Sequence, residues 1–252
     1  MYQIDFNKPI HIHFMGIGGI SMSGLAEILI KEGFTISGSD VHTSNIIKHL
    51  EDKGAKVYLS QTADNITDDI DLVVYTAAIN FDTNEEYKEA VRRNIPVMKR
   101  ATLLGQMMHN YQNAIAVSGT HGKTTTTSLL KHLFESTIGC NYFIGDGQGH
   151  IDLKNKLLVI ESDEFNRHFL AYHPKTAVIT CVELEHTEIY KDLADTIETF
   201  EKFANKAELV VANGDDKNIR QIKFNNKVIF YGENSDNDYI IKNIFVKIRF
   251  HI

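Results

Sequence analysis

The feature that most restricts the fold is a glycine-containing turn between an apolar run and a helical pattern. Residues 114–117 are small or β-branched and apolar, which is typical of a buried strand. They lead into Ser-Gly-Thr-His-Gly-Lys-Thr, after which residues 124–134 carry apolar side chains at helical spacing. A strand, a tight glycine turn and a helix in this order favour an α/β fold with a parallel sheet.

The same turn has the chemistry of a phosphate site. Glycines let backbone N–H groups curl around phosphate oxygens, and the following helix adds about half a positive charge at its N-terminus. Lys123 is then placed to contact the outer phosphates of ATP, and the Thr124 hydroxyl to bind Mg²⁺. The gap between the glycines is two residues shorter than in the usual P-loop pattern. The predicted ATP-binding residues are Gly119, Thr120, His121, Gly122, Lys123, Thr124 and Thr125.

A second glycine turn follows the apolar run at residues 10–15. Its sequence, Gly-Ile-Gly-Gly-Ile-Ser-Met-Ser-Gly, is similar to the dinucleotide-binding fingerprint, except that Ser21 replaces the third glycine. Asp40 closes the next strand, at about the position of a ribose-binding acid. From these residues alone, NAD, another diphosphate-bearing nucleotide and a plain strand-to-helix turn are equally good interpretations.

Two later strands end in residues that suit a metal ion. Glu161 closes the run at 157–160, with Asp163 and Glu164 behind it. A carboxylate at the carboxyl end of a parallel strand, downstream of a phosphate loop, is well placed for Mg²⁺. His186 follows the run at 177–180 and can bind a second metal through a neutral ring nitrogen. A solvated acidic turn and a structural histidine are the alternatives.

The strand and helix patterns alternate along most of the 252 residues, a length that suits two ordinary domains. We predict a Rossmann-like domain over residues 1–110 and a P-loop-type ATPase domain with a mostly parallel sheet over residues 111–252. Apolar residues alternate with others from 244 to 252, which predicts a strand at which the sequence stops. Because an unpaired apolar edge favours aggregation, we expect the second domain to be truncated.

Composition restricts the partners and the compartment. The net charge of −7 argues against a nucleic-acid backbone or an anionic membrane as the main partner. Residues 1–14 are too polar for a secretory signal, and no apolar run has the length of a membrane span. Cys140 and Cys181 lie far apart in the sequence and do not predict a disulfide, so a reducing cytoplasm is the expected location.

Seven short motifs, in order from about His11 to about Asp216, show a family resemblance. They are HFMGIGGISMSGLAEIL, ISGSD, VVYTAAI, IPVMKR, SGTHGKTTTTSLL, IGDGQGH and ESDEFNRHFLAYHP. Together they resemble the Mur ligases. The resemblance implies that ATP phosphorylates the lactyl carboxylate of UDP-N-acetylmuramate. The amine of L-alanine then attacks the acyl phosphate, which leaves an amide, ADP and phosphate.

The resemblance also implies roles for individual residues. Lys123, with Mg²⁺ on Thr124 and Glu161, neutralises the γ-phosphate, since phosphoryl transfer needs positioning and charge neutralisation rather than a protein nucleophile. A second Mg²⁺ on His186 shares Glu161 and brings the substrate carboxylate to the phosphate. The first glycine loop is then a UDP-sugar site. The residues implied to lie near the UDP-sugar are Gly16, Gly18, Gly19, Ser21, Ser39, Asp40, Thr76, Ala77 and Arg100.

The sequence departs from the family pattern at two positions before His186. Cys181 stands where the family has an asparagine, and Glu185 stands where it has an aspartate. A thiol lacks the hydrogen-bonding pattern of an amide, and glutamate carries its carboxylate one methylene further out. We therefore expect an altered geometry at the second metal.

Length is the larger departure, because the resemblance implies a third domain that receives the amino acid. We expect that domain to be absent, and we expect this chain alone to show no alanine-dependent release of ADP. A module that binds UDP-sugar and ATP without turnover is one alternative, and a relative that attaches a whole tripeptide is another. An NAD-dependent oxidoreductase is a third, although it leaves Lys123, Glu161 and His186 without a purpose.

Overall fold

The computed structural model describes residues 2–76, 78–145, 149, 150, 152 and 154–242. The strand predicted at 244–252 and the implied site residue Ala77 lie outside these residues. The described chain forms two sheets, one from strands that precede residue 110 and one from strands that follow it. The predicted α/β class with mostly parallel sheets is confirmed, whereas the exact bounds of the two domains remain a prediction.

The first sheet has five parallel strands. The strands are β1 (His11–Met15), β2 (Thr35–Ser39), β3 (Lys56–Tyr58), β4 (Leu72–Tyr75) and β5 (Val97–Lys99). The helices are α1 (Ile20–Lys31), α2 (Asn45–Asp52), α3 (Glu85–Arg92) and α4 (Arg100–Met108). The strand order is β3-β2-β1-β4-β5. The order changes direction at β1, and ligands of open α/β sheets bind beyond the carboxyl ends of the strands at such a point. The first glycine turn follows β1 directly.

The second sheet has eight strands, all parallel in their pairing except the last. The strands are β6 (Asn113–Ser118), β7 (Asn141–Phe143), β8 (Gly149–His150), β9 (Leu157–Glu161), β10 (Thr176–Ile179), β11 (Leu209–Asn213), β12 (Lys227–Gly232) and β13 (Tyr239–Ile240). The helices are α5 (Lys123–Glu135) and α6 (Leu193–Ala204). The order is β13-β12-β11-β10-β6-β9-β7-β8. Because β6 lies between β9 and β10, the ends of these three strands meet.

Local sequence accounts for where the helices begin. Ser44 and Asn84 precede α2 and α3, and each side chain accepts a hydrogen bond from a backbone N–H in the first turn. Asp192 caps α6 in the same way. The helices that follow the two glycine turns lack a side-chain cap, because Gly19 and Gly122 occupy their N-cap positions. Their first N–H groups are therefore available to an anion. Among the described residues, no helix combines the length and the apolar character that crossing a bilayer requires.

The two sheets are held together by close contacts at glycines. A Cβ atom at Gly24 in α1 would lie 2.6 Å from the ring of Phe143 in β7. A Cβ atom at Gly105 in α4 would overlap the carbonyl oxygen of Ala171, in the 3-10 segment Phe165–Ala171. Helices α1 and α4 belong to the first sheet, while Phe143 and Ala171 belong to the chain around the second. The missing side chains thus let the two halves approach to backbone contact.

We predict that Gly105→Ala lowers the free energy of unfolding by about 1–3 kcal/mol, because a methyl group there overpacks a contact with fixed backbone. Gly24→Ala should cost less, since the Phe143 ring is a side chain that can rotate away. Urea unfolding of both variants checks this. Helix propensity alone would make the Gly105→Ala chain more stable than the parent by about 1 kcal/mol. Such a gain would contradict the close approach of Gly105 to the Ala171 carbonyl.

Candidate active site

The first glycine turn is held by the end of β2. The N–H groups of Gly16 and Ile17 donate to the carbonyl oxygen of Ser39 at 2.8 and 2.9 Å. The N–H of Gly18 donates to Oδ2 of Asp40 at 2.9 Å. Gly16 has a φ of 82°, in the left-handed region that glycine adopts without strain. The structure therefore brings four of the implied UDP-sugar residues into one turn.

The remaining residues of this group occupy different places around the turn. Thr76 lies close to Gly16, where a Cβ atom would meet its methyl group at 2.9 Å. Gly19 caps α1, and Ser21 lines a cavity together with Arg100. The hydroxyl of Ser39, by contrast, is fully buried and points into the protein. Its side chain is thus not available to a ligand, although its carbonyl holds the turn.

The second glycine turn is built from positive-φ glycines packed against the chain after β10. Gly119 and Gly122 have φ values of 142° and 81°. The N–H of Thr120 donates to the carbonyl of Cys181 at 3.0 Å. The Cys181 sulfur accepts the N–H of His121 at 3.1 Å and lies 3.5 Å from the His121 carbonyl. Cys181 therefore supplies part of the hydrogen bonding of an amide and helps to shape the turn.

Lys123 is held inside this turn. Its Nζ donates to the carbonyl oxygens of Gly119 and Thr120 at 2.7 and 3.1 Å and to Oε1 of Glu164 at 2.9 Å. The two side chains are only 17% and 4% exposed, so the ion pair is largely desolvated. Burial raises the pKa of the Glu164 carboxyl, and the hydrogen bond from Lys123 offsets this only in part. The second oxygen of Glu164 is buried without a partner among the described residues.

Two sets of possible metal ligands lie next to Lys123. In the first set, the hydroxyl of Thr124 donates to Oε1 of Glu161 at 3.0 Å. In the second, one ligand atom from each of Glu164, Glu185 and His186 lies within 4.8 Å of the others. Oε1 of Glu164 is 3.8 Å from Nε2 of His186. The structure thus brings Thr124 and Glu161 together. It places Glu164 and Glu185 around His186, and Oε1 of Glu188 lies 3.7 Å from Nδ1 on the other side of the same ring.

The backbone at His186 is strained. Its φ is 51°, in the left-handed region that non-glycine residues seldom adopt. Its carbonyl accepts the N–H groups of Ile189 and Tyr190 at 2.7 and 2.9 Å, which holds this conformation. Strain of this kind persists where the surroundings impose it and is common at functional sites.

A cavity of about 410 Å³ lies between the residues that follow the two turns. Ser21 and Arg100 line it from the first sheet, and Lys123, Thr124 and Glu161 line it from the second. Glu161 is the last residue of β9, and the other four residues follow the carboxyl ends of strands. The two cationic side chains of the cavity are Arg100 and Lys123. Each can bind an anionic group, and two anionic groups held in one cavity are an arrangement that suits the transfer of a charged group.

Sequence reasoning missed the contacts of two residues at this site. Glu164 is the partner of Lys123, and its only sequence signal was its place in the acidic run after β9. Tyr172 lines the cavity from a buried position; burial raises the pKa of its hydroxyl, and the neighbouring Arg100 acts in the opposite direction. Nothing in the sequence distinguished Tyr172 from other aromatic core residues.

Comparison with known proteins decides the family. The model of the Mur ligase family, catalytic domain, matches residues 11–112, and the model of the Mur ligase middle domain matches residues 117–250. The chain belongs to the Mur ligase family. The resemblance of the seven motifs is therefore confirmed, and the two glycine turns of this Mur ligase lie one in each matched region.

Curated relatives and solved structures agree with this placement. UDP-N-acetylmuramate–L-alanine ligase of Lachnoclostridium phytofermentans is 47% identical over 227 residues, 86% of this chain and 48% of the relative. The ligase of the same name from Agathobacter rectalis is 44% identical, over 97% of this chain and 55% of the relative. The Mur ligase chain described here spans about half the length of the curated relatives it matches.

Two crystal structures share the fold. UDP-N-acetylmuramate-alanine ligase MurC from Thermotoga maritima matches with a TM-score of 0.77 and 28% identity, over 93% of this chain and 55% of that one. UDP-N-acetylmuramate:L-alanyl-gamma-D-glutamyl-meso-diaminopimelate ligase from Neisseria meningitides matches with a TM-score of 0.78 and 26% identity, over 91% and 83%. The Rossmann-like and central domains predicted for this Mur ligase are thus confirmed as a fold.

We predict that Lys123→Met lowers the free energy of unfolding of this Mur ligase chain by about 3 kcal/mol, because it leaves the Glu164 carboxylate buried without its cation. Adding Glu164→Gln should restore most of the loss. Urea unfolding of the single and double variants measures both effects.

The matched control is Lys202→Met, which breaks an exposed lysine–glutamate pair with Glu198. It should change stability by about 0.5 kcal/mol at most. Equal losses in Lys123→Met and in Lys202→Met would contradict the assignment of a desolvated pair at the glycine turn.

Proposed function

We propose that this chain is the UDP-sugar-binding and ATP-binding portion of a UDP-N-acetylmuramate–L-alanine ligase, which acts in the synthesis of peptidoglycan precursors. The single observation that carries the proposal is the shared cavity. It is lined by Arg100 from the first sheet and by Lys123, which follows the second glycine turn. A carboxylate delivered by a UDP-sugar and the γ-phosphate of ATP would both need a cation at this point.

The chain's own residues position the two reactants. The N–H groups at the start of α1 would bind the diphosphate of the UDP-sugar, and the turn at Gly16 and Gly18 would position them. Arg100 would bind the lactyl carboxylate and hold it against the phosphate. Lys123 would exchange its contact with Glu164 for the outer phosphate oxygens of ATP. Phosphorylation of the carboxylate then needs no protein nucleophile, since alignment and charge neutralisation lower the barrier.

The donor atoms near Lys123 fit Mg²⁺. A hydroxyl and several carboxylates are the hard oxygen ligands that Mg²⁺ prefers, and the unpartnered buried oxygen of Glu164 is a donor without another role. Thr124 and Glu161 would hold one ion, and Glu164, Glu185 and His186 a second. Bound Mg²⁺ supplies neutralisation of the phosphate charge that develops during transfer. We keep the sharing of Glu161 between both ions as a prediction.

L-Alanine is proposed as the acceptor on the strength of the relatives' names. The alanine ligases of Lachnoclostridium phytofermentans and Agathobacter rectalis are 44–47% identical to this chain, whereas the ligase from Neisseria meningitides, whose name includes a longer peptide, is 26% identical. The solved alanine ligase from Thermotoga maritima is itself only 28% identical to this chain, so the proposal of the single amino acid rests on the names of the curated relatives.

Isothermal titration calorimetry tests the first half of the proposal. We predict that the chain binds UDP-N-acetylmuramate and that Arg100→Met weakens this binding by about tenfold to a hundredfold, because a charge-assisted hydrogen bond is lost. Binding of UDP alone should not change, since UDP lacks the carboxylate.

Lys99→Met is the matched control, because Lys99 is adjacent and exposed; it should leave both affinities unchanged. Equal weakening of UDP and of UDP-N-acetylmuramate by Arg100→Met would contradict the role given to Arg100. Tight binding of NAD without binding of UDP-N-acetylmuramate would overturn the proposed function and support an oxidoreductase.

A further inference from the structure

A carboxylate that the proposed chemistry does not use lies buried behind the first glycine turn. Glu86, in the first turn of α3, has no exposed surface. Its Oε2 accepts the hydroxyl of Ser39 at 2.6 Å, and its Oε1 accepts Nδ2 of Asn65 at 2.7 Å. Nε2 of the equally buried His13 lies 3.3 Å from Oε1. A buried carboxylate is tolerated only when several donors surround it, as they do here.

The polar groups around Glu86 continue along the sheet. Nδ1 of His13 is 2.9 Å from the Ser37 hydroxyl, which is also 2.8 Å from Nε2 of His11. On the other side, Nε2 of Gln61 donates to the Ser39 hydroxyl at 3.3 Å. Apart from its partly exposed ends at His11 and Gln61, this network lies inside the first domain, and Glu86 does not line the cavity between the two sheets.

Ser39 connects the buried network to the turn. Its hydroxyl donates to Glu86, while its carbonyl accepts the N–H groups of both Gly16 and Ile17. Two turn amides therefore depend on the position of one carbonyl, and the side chain of the same residue is fixed by a short hydrogen bond to a carboxylate. Hydrogen bonds to a charged acceptor are about twice as strong as neutral ones, so Glu86 restrains Ser39 firmly.

We propose that Glu86 is a positioning residue for the nucleotide-binding turn and acts on the UDP portion of the substrate through Ser39. This rests on the proposed function for the identity of the ligand. The geometry of the turn itself does not depend on that identity. Because neither the Glu86 carboxylate nor the Ser39 hydroxyl reaches the surface, these groups act on binding indirectly, and the Ser39 carbonyl that holds Gly16 and Ile17 gives them a direct route to the turn.

The test compares Glu86→Gln with Glu85→Gln, a matched control that removes one charge from the exposed neighbouring residue of α3. Two readouts are measured on the full 252-residue chain. Hydrogen exchange in the absence of ligand reports how firmly the amides of Gly16 and Ile17 are held. Calorimetry measures the dissociation constants of UDP and of ATP·Mg²⁺ separately.

We expect Glu86→Gln to speed exchange at Gly16 and Ile17 by about tenfold and to raise the dissociation constant of UDP by a similar factor, since a charge-assisted bond becomes a neutral one. The dissociation constant of ATP·Mg²⁺ should not change, and Glu85→Gln should match the parent in every measurement. Ser39→Ala should reproduce the effect. Adding Glu86→Gln to Ser39→Ala should cause no further loss, because both act through one hydrogen bond.

The proposal is overturned by parent-like exchange and UDP affinity in Glu86→Gln, by additive losses in the double variant, or by faster exchange spread evenly over the first sheet. The last outcome would make Glu86 a residue of general stability only. If Glu86→Gln does not fold, Ser39→Ala is measured in its place: parent-like exchange and UDP affinity, or faster exchange spread over the whole first sheet, overturns the proposal. If the parent chain does not bind UDP, the proposed function fails, and exchange at Gly16 and Ile17 still decides whether Glu86 positions the turn.

Discussion

The site depends on one constraint: two parallel sheets must turn their carboxyl ends toward the same cavity. Each sheet supplies a glycine turn at the end of a central strand, β1 in the first and β6 in the second. The backbone contact at Gly105 and the ring contact at Gly24 hold the sheets close enough for Arg100 and Lys123 to line one space.

Next to the cavity, the charge of Lys123 is balanced by Glu164, and a bound ligand can replace this partner. Lys123 rests on Glu164 and on two turn carbonyls, so its charge is already satisfied before any phosphate is bound. A phosphate must therefore compete with Glu164, and a metal ion that takes Glu164 would free Lys123. Nucleotide and metal are thus expected to bind together: Glu164 would leave Lys123 for the metal ion, and Lys123 would then contact the phosphate. The strained backbone at His186 holds the imidazole ring, another possible metal ligand, beside Glu164.

Much of this arrangement could be predicted from the sequence, because glycine turns after apolar strands have a local pattern. Gly119, Gly122 and the turn after β1 belong to this class. Glu164 and Glu86 do not, since their partners lie 41 and 47 residues away, at Lys123 and Ser39. An acid in the first turn of a helix is usually read as an exposed group that complements the helix dipole. The burial of Glu86 is visible only in the folded structure, where the side chain meets Ser39 and Asn65.

The most direct test of a shared cavity is a distance measurement between the two bound reactants. Mn²⁺ replaces Mg²⁺ with a non-hydrolysable ATP analogue, and nuclear magnetic relaxation is measured on bound UDP-N-acetylmuramate. The shared cavity predicts strong paramagnetic relaxation of the lactyl methyl protons and much weaker relaxation of the uracil protons. Equal relaxation at both ends, or displacement of the sugar nucleotide by the ATP analogue, would contradict a cavity in which the carboxylate meets the phosphate.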